Sequence, residues 1–346
     1  MSIAKINIYR ALKTNLRFFL TYSFLLIALG GTISAQNQAR KMIPSGRNAE
    51  RIVSAEALER QVEFLTDTLI RGRETGTPGA NEAAFWIARQ LELAGLMPMG
   101  STWGHSFPFG KASGHNILGF LPGKRQGAKE MYVIVSAHYD SHGIIEGTLY
   151  PGADSNASGV VAMVNLARMF SKMKELGRSY GKNIIFAGLD AREKNSLGAE
   201  ALWSEIEEGR LKDPLSGETI TPSKVYSTVV LDILGSTLSP LQRGRKDYLI
   251  MLSNGQFTYD LKRANENPGL GLDLGFDYYG SPNFTEMFHS KVGDQKVFTK
   301  EGTMCVVFTS GITMKTNKVE DDYLSLNYEI FKRRIFLIFH WLTKIL

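Results

Sequence analysis

The feature that most limits the fold of this chain is a set of continuous apolar runs, each carrying a charged or imidazole residue at or near its end. Runs of this length without polar alternation are typical of strands that are buried on both faces, as in parallel sheets covered by helices. The three runs are Tyr132 to Ala137 followed by His138, Asn183 to Leu189 followed by Asp190, and Val225 to Leu234 with Asp232 near its end.

Segments with helical spacing of apolar residues separate these runs. Ser54 is a plausible N-cap for the first of them. Alternating strands and helices predict an α/β fold, a three-layer sandwich with a mostly parallel, mixed central sheet and helices on both faces. Sites in such sheets form beyond the carboxyl ends of the strands, where His138 and Asp190 fall. The predicted helices are 54–69, 80–93, 160–176 and 323–346, and two further strands are 248–252 and 304–309.

The N-terminus has the three-part layout of a secretory signal peptide over residues 1–35. Four basic residues precede an apolar run from Phe18 to Leu29, and small residues follow up to Ala35. A membrane anchor is the alternative, but the apolar run is shorter than the ~20 residues that a spanning helix needs. We therefore expect a flexible leader over residues 36–50 and a folded domain over 51–346. The protein is expected to be exported, periplasmic or extracellular, without a stable membrane anchor.

Charge and cysteine content exclude two classes of function. The formal charge of +6 includes four basic residues of the leader, which leaves +2 for the remainder, so no nucleic-acid partner is expected. Cys305 is the only cysteine, which rules out an intrachain disulfide. Its apolar setting predicts a packing role rather than a nucleophile, because burial raises the pKa of a thiol. In the C-terminal helix, Lys332, Arg333 and Arg334 interrupt the apolar pattern, which favours packing on the sheet over a membrane-surface helix.

Four residues at or just after the strand ends form a reasonable ligand set for zinc or a similar divalent ion. Asp140, two residues after the histidine, is placed to accept the proton on its other ring nitrogen. Taken singly these signals are weak, since an aspartate that opens a helix is usually a cap. The candidate ligands are His138, Asp154, Glu193 and Asp232.

The phrases around these residues closely resemble the di-zinc aminopeptidase family, which includes bacterial leucyl aminopeptidases, aminopeptidase Y and the glutaminyl cyclases. The resemblance covers about residues 55 to 330, and the aspartate-centred phrase is its most specific part. The phrases are His138 to Ser141, Pro151 to Gly159 and Leu231 to Gly235, with 72–79 and 116–123 upstream.

The resemblance implies a zinc exopeptidase-like fold and a cocatalytic pair of zinc ions. In that family the aspartate that matches Asp154 bridges both ions. His138 and Asp232 match the other protein ligands of one ion, and Glu193 matches a ligand of the second. The residue before that glutamate is the general base of the family.

The chain departs from the family at the base and at the last ligand. Asp190-Ala191-Arg192-Glu193 replaces Asp-Gly-Glu-Glu, which puts Arg192 at the base position. An arginine stays protonated near neutrality and cannot take a proton from water. The late histidine ligand becomes Asn317, and the family's Ser-Asp-His phrase becomes Gly293-Asp294-Gln295.

These departures lead us to expect one zinc ion rather than two. Our hypothesis is that Arg192 takes the electrostatic place of the second metal. Substitutes from other loops are possible in the sequence. They are Glu146 and Glu286 for the base, and His142 and His289 for the missing ligand.

Three functions follow from the resemblance. The first is a metallo-exopeptidase that removes N-terminal residues from peptides. The second is an inactive relative that binds a peptide or small-molecule ligand in the old cleft. The third is glutaminyl cyclase-like acyl transfer, which uses the half-site that is damaged here. The sequence gives no prediction of oligomeric state.

Overall fold

The apolar runs form the centre of a nine-stranded mixed sheet. The structure is a computed structural model, and it describes residues 46–124, 130–237, 246–253, 257–278 and 280–346. The strands are β1 (Met97–Pro98), β2 (Gly104–Phe109), β3 (Ala112–Leu121), β4 (Tyr132–His138), β5 (Gly143–Ile145), β6 (Thr148–Tyr150), β7 (Asn183–Leu189), β8 (Val225–Leu231), β9 (Tyr248–Leu252), β10 (Asp273–Gly275) and β11 (Cys305–Thr309).

Helices surround this sheet and occupy most of the intervals between strands. They are α1 (Gly46–Glu50), α2 (Ala55–Thr66), α3 (Pro78–Leu93), α4 (Gly159–Glu175), α5 (Leu197–Glu207), α6 (Thr258–Asn265), α7 (Pro282–Lys291), α8 (Gln295–Lys300) and α9 (Tyr328–Ile345). A π-helical turn, Ala153–Ser158, leads into α4.

The strand order is β1-β3-β7-β4-β8-β11-β9-β10, with β2 paired to β3. The four central strands, β7, β4, β8 and β11, are parallel to one another. Strand β3 pairs antiparallel with β7, and β9 pairs antiparallel with β11. The carboxyl ends of the central strands therefore lie at one edge of the sheet. This mixed sheet with helices around it confirms the predicted fold class.

Alternate residues of β4 face two separate layers of helices. Val133 and Val135 belong to an apolar cluster with α2, α3, α4 and α9. Tyr132 and Ile134 belong to a second cluster, on the other face, with residues of α5 and α8. Because a strand points successive side chains to opposite faces, only a fully apolar strand can serve both layers.

The predicted helix at the C-terminus is confirmed, with a later start. The side chain of Asn327 accepts a hydrogen bond from the backbone N–H of Ile330, so α9 begins at Tyr328 and only a short 3₁₀ turn occupies Tyr323–Ser325. The helix buries Phe331, Ile335 and other apolar residues against the sheet. Across the described parts of the chain, no helix has the length and apolarity needed to cross a membrane.

The end of one predicted strand is wrong, and part of the predicted leader is helical. The run predicted to end at Leu234 ends as a strand at Leu231, because Ile233 has a φ of 65°, outside the β region. Residues 46–50, predicted as leader, form α1 and bury Ala49. The predicted signal peptide and the rest of the leader lie outside the described residues.

Candidate functional site

The parallel order of β7, β4 and β8 brings five of the predicted residues to one place. His138 ends β4 opposite Leu189, the last residue of β7. Asp232 follows the last residue of β8, on the other side of β4. The five residues that come together are His138, Asp140, Arg192, Glu193 and Asp232, which we call the strand-end cluster.

His138 lies between two carboxylates and is 2% exposed. Its Nδ1 is 3.3 Å from Oδ1 of Asp140, and its Nε2 is 3.5 Å from Oδ1 of Asp232. Burial by itself lowers the pKa of the ring, but the nearby carboxylates of Asp140 and Asp232 outweigh it and raise the pKa to about 10. Asp140 therefore lies where the sequence predicted, beside the second ring nitrogen.

Asp140 also holds the loop that carries Arg192 and Glu193. Its two carboxylate oxygens accept hydrogen bonds from the backbone N–H groups of Arg192 (3.0 Å) and Glu193 (2.9 Å). Burial would raise the pKa of Asp140, but His138 and these two donors hold it below its usual range. The preceding residue, Ala191, has a φ of 58°, which turns the chain towards Asp140.

Arg192 places its guanidinium between carboxylates. Its Nη1 is 2.5 Å from Oε1 of Glu193, and its Nη2 is 3.9 Å from Oδ2 of Asp232. Burial opposes the charged form, yet Asp232 and Glu193 raise the pKa of Arg192 further above its already high value. The group is therefore a permanent cation inside the cluster.

Asp294 is a site residue that the sequence analysis noted only for its missing neighbour. It is 2% exposed, and its Oδ1 has no hydrogen-bond partner. Burial raises its pKa to about 6, although His138 and Arg192 favour the charged form. The sequence signal for this residue was the phrase Gly293-Asp294-Gln295, which stands where the family has Ser-Asp-His.

Asp154, the predicted bridging ligand, uses one carboxylate oxygen in hydrogen bonds and leaves the other without a partner. Its Oδ1 accepts hydrogen bonds from the backbone N–H groups of Gly235 (2.7 Å) and Ser236 (3.2 Å) and from the hydroxyl of Ser158 (3.2 Å). Among the described contacts it forms no hydrogen bond or ion pair with the strand-end cluster. Burial and then the Asp321 carboxylate raise its pKa.

Asn317, at the position of the lost histidine, faces Ser155. The Ser155 hydroxyl donates to Oδ1 of Asn317 at 2.8 Å.

Asn156 joins the strand ends to one another and was missed by the sequence analysis. Its amide donates to the carbonyls of His138 (3.2 Å) and Leu231 (2.9 Å), and its Oδ1 accepts from the N–H of Ile233 (3.0 Å). The Asn-Ala-Ser-Gly phrase that carried the resemblance contained this residue. Its role depends on loops distant in sequence.

Of the four substitutes suggested by the sequence, one reaches the strand-end cluster. Glu146 and Glu286 are exposed, and His289 is 3.3 Å from the carbonyl of Cys305. His142 does reach the cluster, since its Nδ1 is 3.6 Å from Oε2 of Glu193. Cys305 is buried, which raises its thiol pKa to about 12 and confirms its packing role.

The site fits a zinc ion only in part. The buried atoms His138 Nε2, Asp154 Oδ2 and Asp232 Oδ1 have no hydrogen-bond partner, as free ligand atoms would. Structural and catalytic zinc sites use three or four protein ligands around one point. Within the described ranges, however, no three His, Cys, Asp or Glu side chains are grouped to hold a metal ion. The residues present therefore do not form a ready zinc site.

A cavity of about 480 Å³ is lined by residues around Glu74 and Gly143, and no member of the strand-end cluster belongs to its wall. Glu74 lines it and forms an ion pair with Lys194 at 3.1 Å, one residue beyond Glu193. Glu82 adds a second carboxylate to the wall, and Leu69 and Ile144 add apolar surface. The volume is within the ordinary range for ligand pockets.

Comparison with protein families gives one match that covers most of the chain. The sequence model of peptidase family M28 matches residues 116–329, which include every member of the strand-end cluster.

Curated relatives match over shorter stretches. Leucine aminopeptidase 1 of Sclerotinia sclerotiorum is 29% identical over 134 residues, which are 36% of this chain and 33% of that protein. BOS complex subunit NCLN of Gallus gallus is 39% identical over 74 residues, which are 21% of this chain and 13% of that protein. The chain thus covers a third or less of the length of these relatives.

Solved structures share the fold at low identity. The LapA aminopeptidase of Legionella pneumophila has a TM-score of 0.65 at 14% identity, over 87% of this chain and 74% of its own. BSAP, a zinc aminopeptidase from Bacillus subtilis, has a TM-score of 0.62 at 14% identity, over 84% and 95%. The glutaminyl cyclase of Fimbriiglobus ruber has a TM-score of 0.63 at 15% identity, over 84% and 95%.

Proposed function

Because this chain belongs to peptidase family M28, we propose that it binds peptides on a peptidase scaffold without hydrolysing them. The family match confirms the resemblance stated from the sequence. One observation carries the proposal: the Arg192 guanidinium, at the position of the general base, contacts Glu193 and lies within ion-pair distance of Asp232.

The chemistry of Arg192 opposes hydrolysis. A general base must accept a proton from the attacking water, and a guanidinium flanked by two carboxylates has no capacity to do so. Loss of a general base costs about 10²–10⁴-fold in rate. The ion pairs also hold the side chain in place, so the position is not open to a water that needs activation.

The cavity around Glu82 suits a peptide N-terminus. Glu82 is an acceptor for an ammonium group, while Glu74 is paired with Lys194 and Arg71 adds a cation to the wall. Leu69 and Ile144 are surfaces for an apolar side chain. Leu69 is 89% exposed and Ile144 36%, which leaves apolar area available to a ligand. We propose that the ligand is a peptide with a free amino group and an apolar first residue.

The relatives support use of this fold in more than one role. One relative is named as a leucine aminopeptidase, and another is named as a subunit of a complex. A binding role for this chain is in keeping with the second. We further propose that the chain acts in the periplasm or outside the cell, on the basis of the signal-like order of residues 1–35.

The test combines hydrolysis with binding. Leucine 4-methylcoumaryl-7-amide should not be cleaved above the rate of a buffer blank, with or without added zinc. A fluorescent peptide beginning with leucine should bind, and its N-acetylated form should bind at least about tenfold more weakly, because acetylation removes the ammonium.

The matched variants are Glu82→Gln at the cavity and Glu208→Gln on an exposed surface away from it. We expect the first to weaken binding and the second to leave it unchanged. Steady cleavage of the leucine substrate by the unmodified protein would reject the proposal, as would equal binding of both peptides.

Aminopeptidase activity with one metal is the second candidate. The unpartnered Nε2 of His138 and Oδ1 of Asp232, 3.5 Å apart, favour it because both are potential ligand atoms. This candidate predicts cleavage of the leucine substrate that is abolished by a chelator and restored by zinc. Cyclase-like transfer ranks last, because the resemblance assigns its metal to the side where Asn317 replaces histidine.

A further inference from the structure

We infer that the Arg192 guanidinium takes the place of a metal ion in the strand-end cluster, so that the chain itself supplies the cation of this site and the site does not take up zinc. The inference goes beyond the proposed function, because peptide binding and metal content are separate properties.

The contacts of Arg192 are those expected of a bound cation. It lies between Glu193, at 2.5 Å, and Asp232, at 3.9 Å, the residues that the resemblance assigns to different metal ions. One delocalised cation thus spans both halves of the expected pair. Guanidinium groups suit this position because their planar fork of donors matches carboxylates.

Arg192 offsets part of the negative charge of the cluster without an added ion. Its guanidinium lies between the carboxylates of Glu193 and Asp232, while Asp140 accepts the backbone N–H groups of residues 192 and 193. A dication placed beside His138 and Asp232 would lie close to the guanidinium in a buried site, where repulsion is weakly screened. Zinc would compete with Arg192 for Oε1 of Glu193 and Oδ2 of Asp232, the oxygens that face the guanidinium.

Two other expected ligand positions already make hydrogen bonds. One oxygen of the Asp154 carboxylate accepts the N–H groups of Gly235 and Ser236. Oδ1 of Asn317 accepts the hydroxyl of Ser155. Within the described residues, no three His, Cys, Asp or Glu side chains are grouped to hold a metal ion.

The experiment measures metal content and metal-dependent stability of the full chain. The protein is purified without chelators, its zinc content is determined by elemental analysis, and thermal unfolding is recorded with zinc and with EDTA. The variants are Arg192→Glu, which replaces the cation by a carboxylate, and Arg192→Lys, which keeps the positive charge. Arg89→Glu is the control, because Arg89 is an exposed residue that pairs with Glu92.

We expect the unmodified protein, Arg192→Lys and Arg89→Glu to contain no zinc and to unfold at the same temperature with zinc or EDTA. Arg192→Glu should unfold at a lower temperature in EDTA, since it places like charges together in a buried site. Zinc should then raise its unfolding temperature by about 3 °C or more, with about one ion bound per chain.

About one zinc ion or more per unmodified chain, removed by EDTA with a fall in unfolding temperature, would overturn the inference. So would an Arg192→Glu variant that folds but shows no response to zinc. If that variant does not fold, the zinc content of the unmodified protein and of Arg192→Lys decides the question. If the protein binds zinc and also binds peptides without cleaving them, this inference is rejected and the proposed function stands.

Discussion

At the scale of single residues, the site depends on Asp140 as much as on Arg192. Asp140 contacts the His138 ring and accepts the N–H groups of residues 192 and 193, so it joins the end of β4 to the loop after β7. It is fully buried, and every one of these partners favours its charged form. The position of Arg192 follows from this main-chain anchor.

We predict that Asp140→Asn lowers the free energy of unfolding by about 3 kcal/mol, because the amide nitrogen cannot accept the N–H that the carboxylate oxygen accepts. Urea unfolding followed by circular dichroism measures the change. The exposed Asp277, which accepts the N–H of Gly280 at 3.0 Å, provides the control. Asp277→Asn should change stability by less than about 0.5 kcal/mol. Equal effects of the two substitutions would contradict the role given to Asp140.

The sequence predicted which residues would meet better than what each would contact. His138, Glu193 and Asp232 follow strand ends, and parallel order alone brings them together. Asp154 was predicted as a ligand from its position near the strand ends, and the family phrase around it added the bridging role. Two of the three donors to its carboxylate come from the loop after β8, about 80 residues further along the chain. A contact between segments so far apart cannot be predicted from the local sequence.

At the scale of elements, α9 stabilises the sheet through its aromatic residues. Trp341 is fully buried and contacts Phe308 of β11, with ring centroids 4.9 Å apart, and Phe257, with centroids 5.6 Å apart. Arg334, also on α9, donates to the carbonyls of Tyr248 and Leu234. The helix therefore supports both β9 and the loop that carries Asp232.

We predict that Trp341→Ala destabilises the protein by about 3–5 kcal/mol, since it leaves a cavity among aromatic rings. Trp341→Phe should cost less than about 1.5 kcal/mol, because it keeps a ring and removes a buried N–H that has no hydrogen-bond partner. The free energies of unfolding of the two variants are compared by urea denaturation. A loss of similar size in both variants would show that the indole itself, rather than the filled volume, is required.

Fully apolar central strands were predicted correctly, while other elements, including β3 and α5, were missed. The strands at 132–138 and 183–189 were evident because every residue in them is buried. Neither β2 nor the β5–β6 hairpin was predicted. Their residues are mostly exposed or half-buried, so hydrophobicity does not mark them, and their pairing is set by neighbouring strands.

At the scale of the whole molecule, stability is expected to be uneven. The strands β4 and β7 are buried between two layers of helices, while β5 and β6 form a separate two-stranded sheet that pairs only with itself. In hydrogen exchange, amides of β4 and β7 should exchange only on global unfolding, and those of the hairpin should exchange by local opening. Mass spectrometry of peptides from each region measures the rates. Similar protection in both regions would contradict this order.

The hydrogen bonds from the backbone of residues 192 and 193 to Asp140 have a consequence for how such proteins diverge. Because the backbone of residues 192 and 193 is fixed by hydrogen bonds that do not involve their side chains, a lineage can exchange the side chain at position 192 without rebuilding the loop. A single substitution at this position can then change the chemistry of the site while the fold stays the same. Descent from a common ancestor is accordingly a sounder inference for a chain of this kind than a shared reaction.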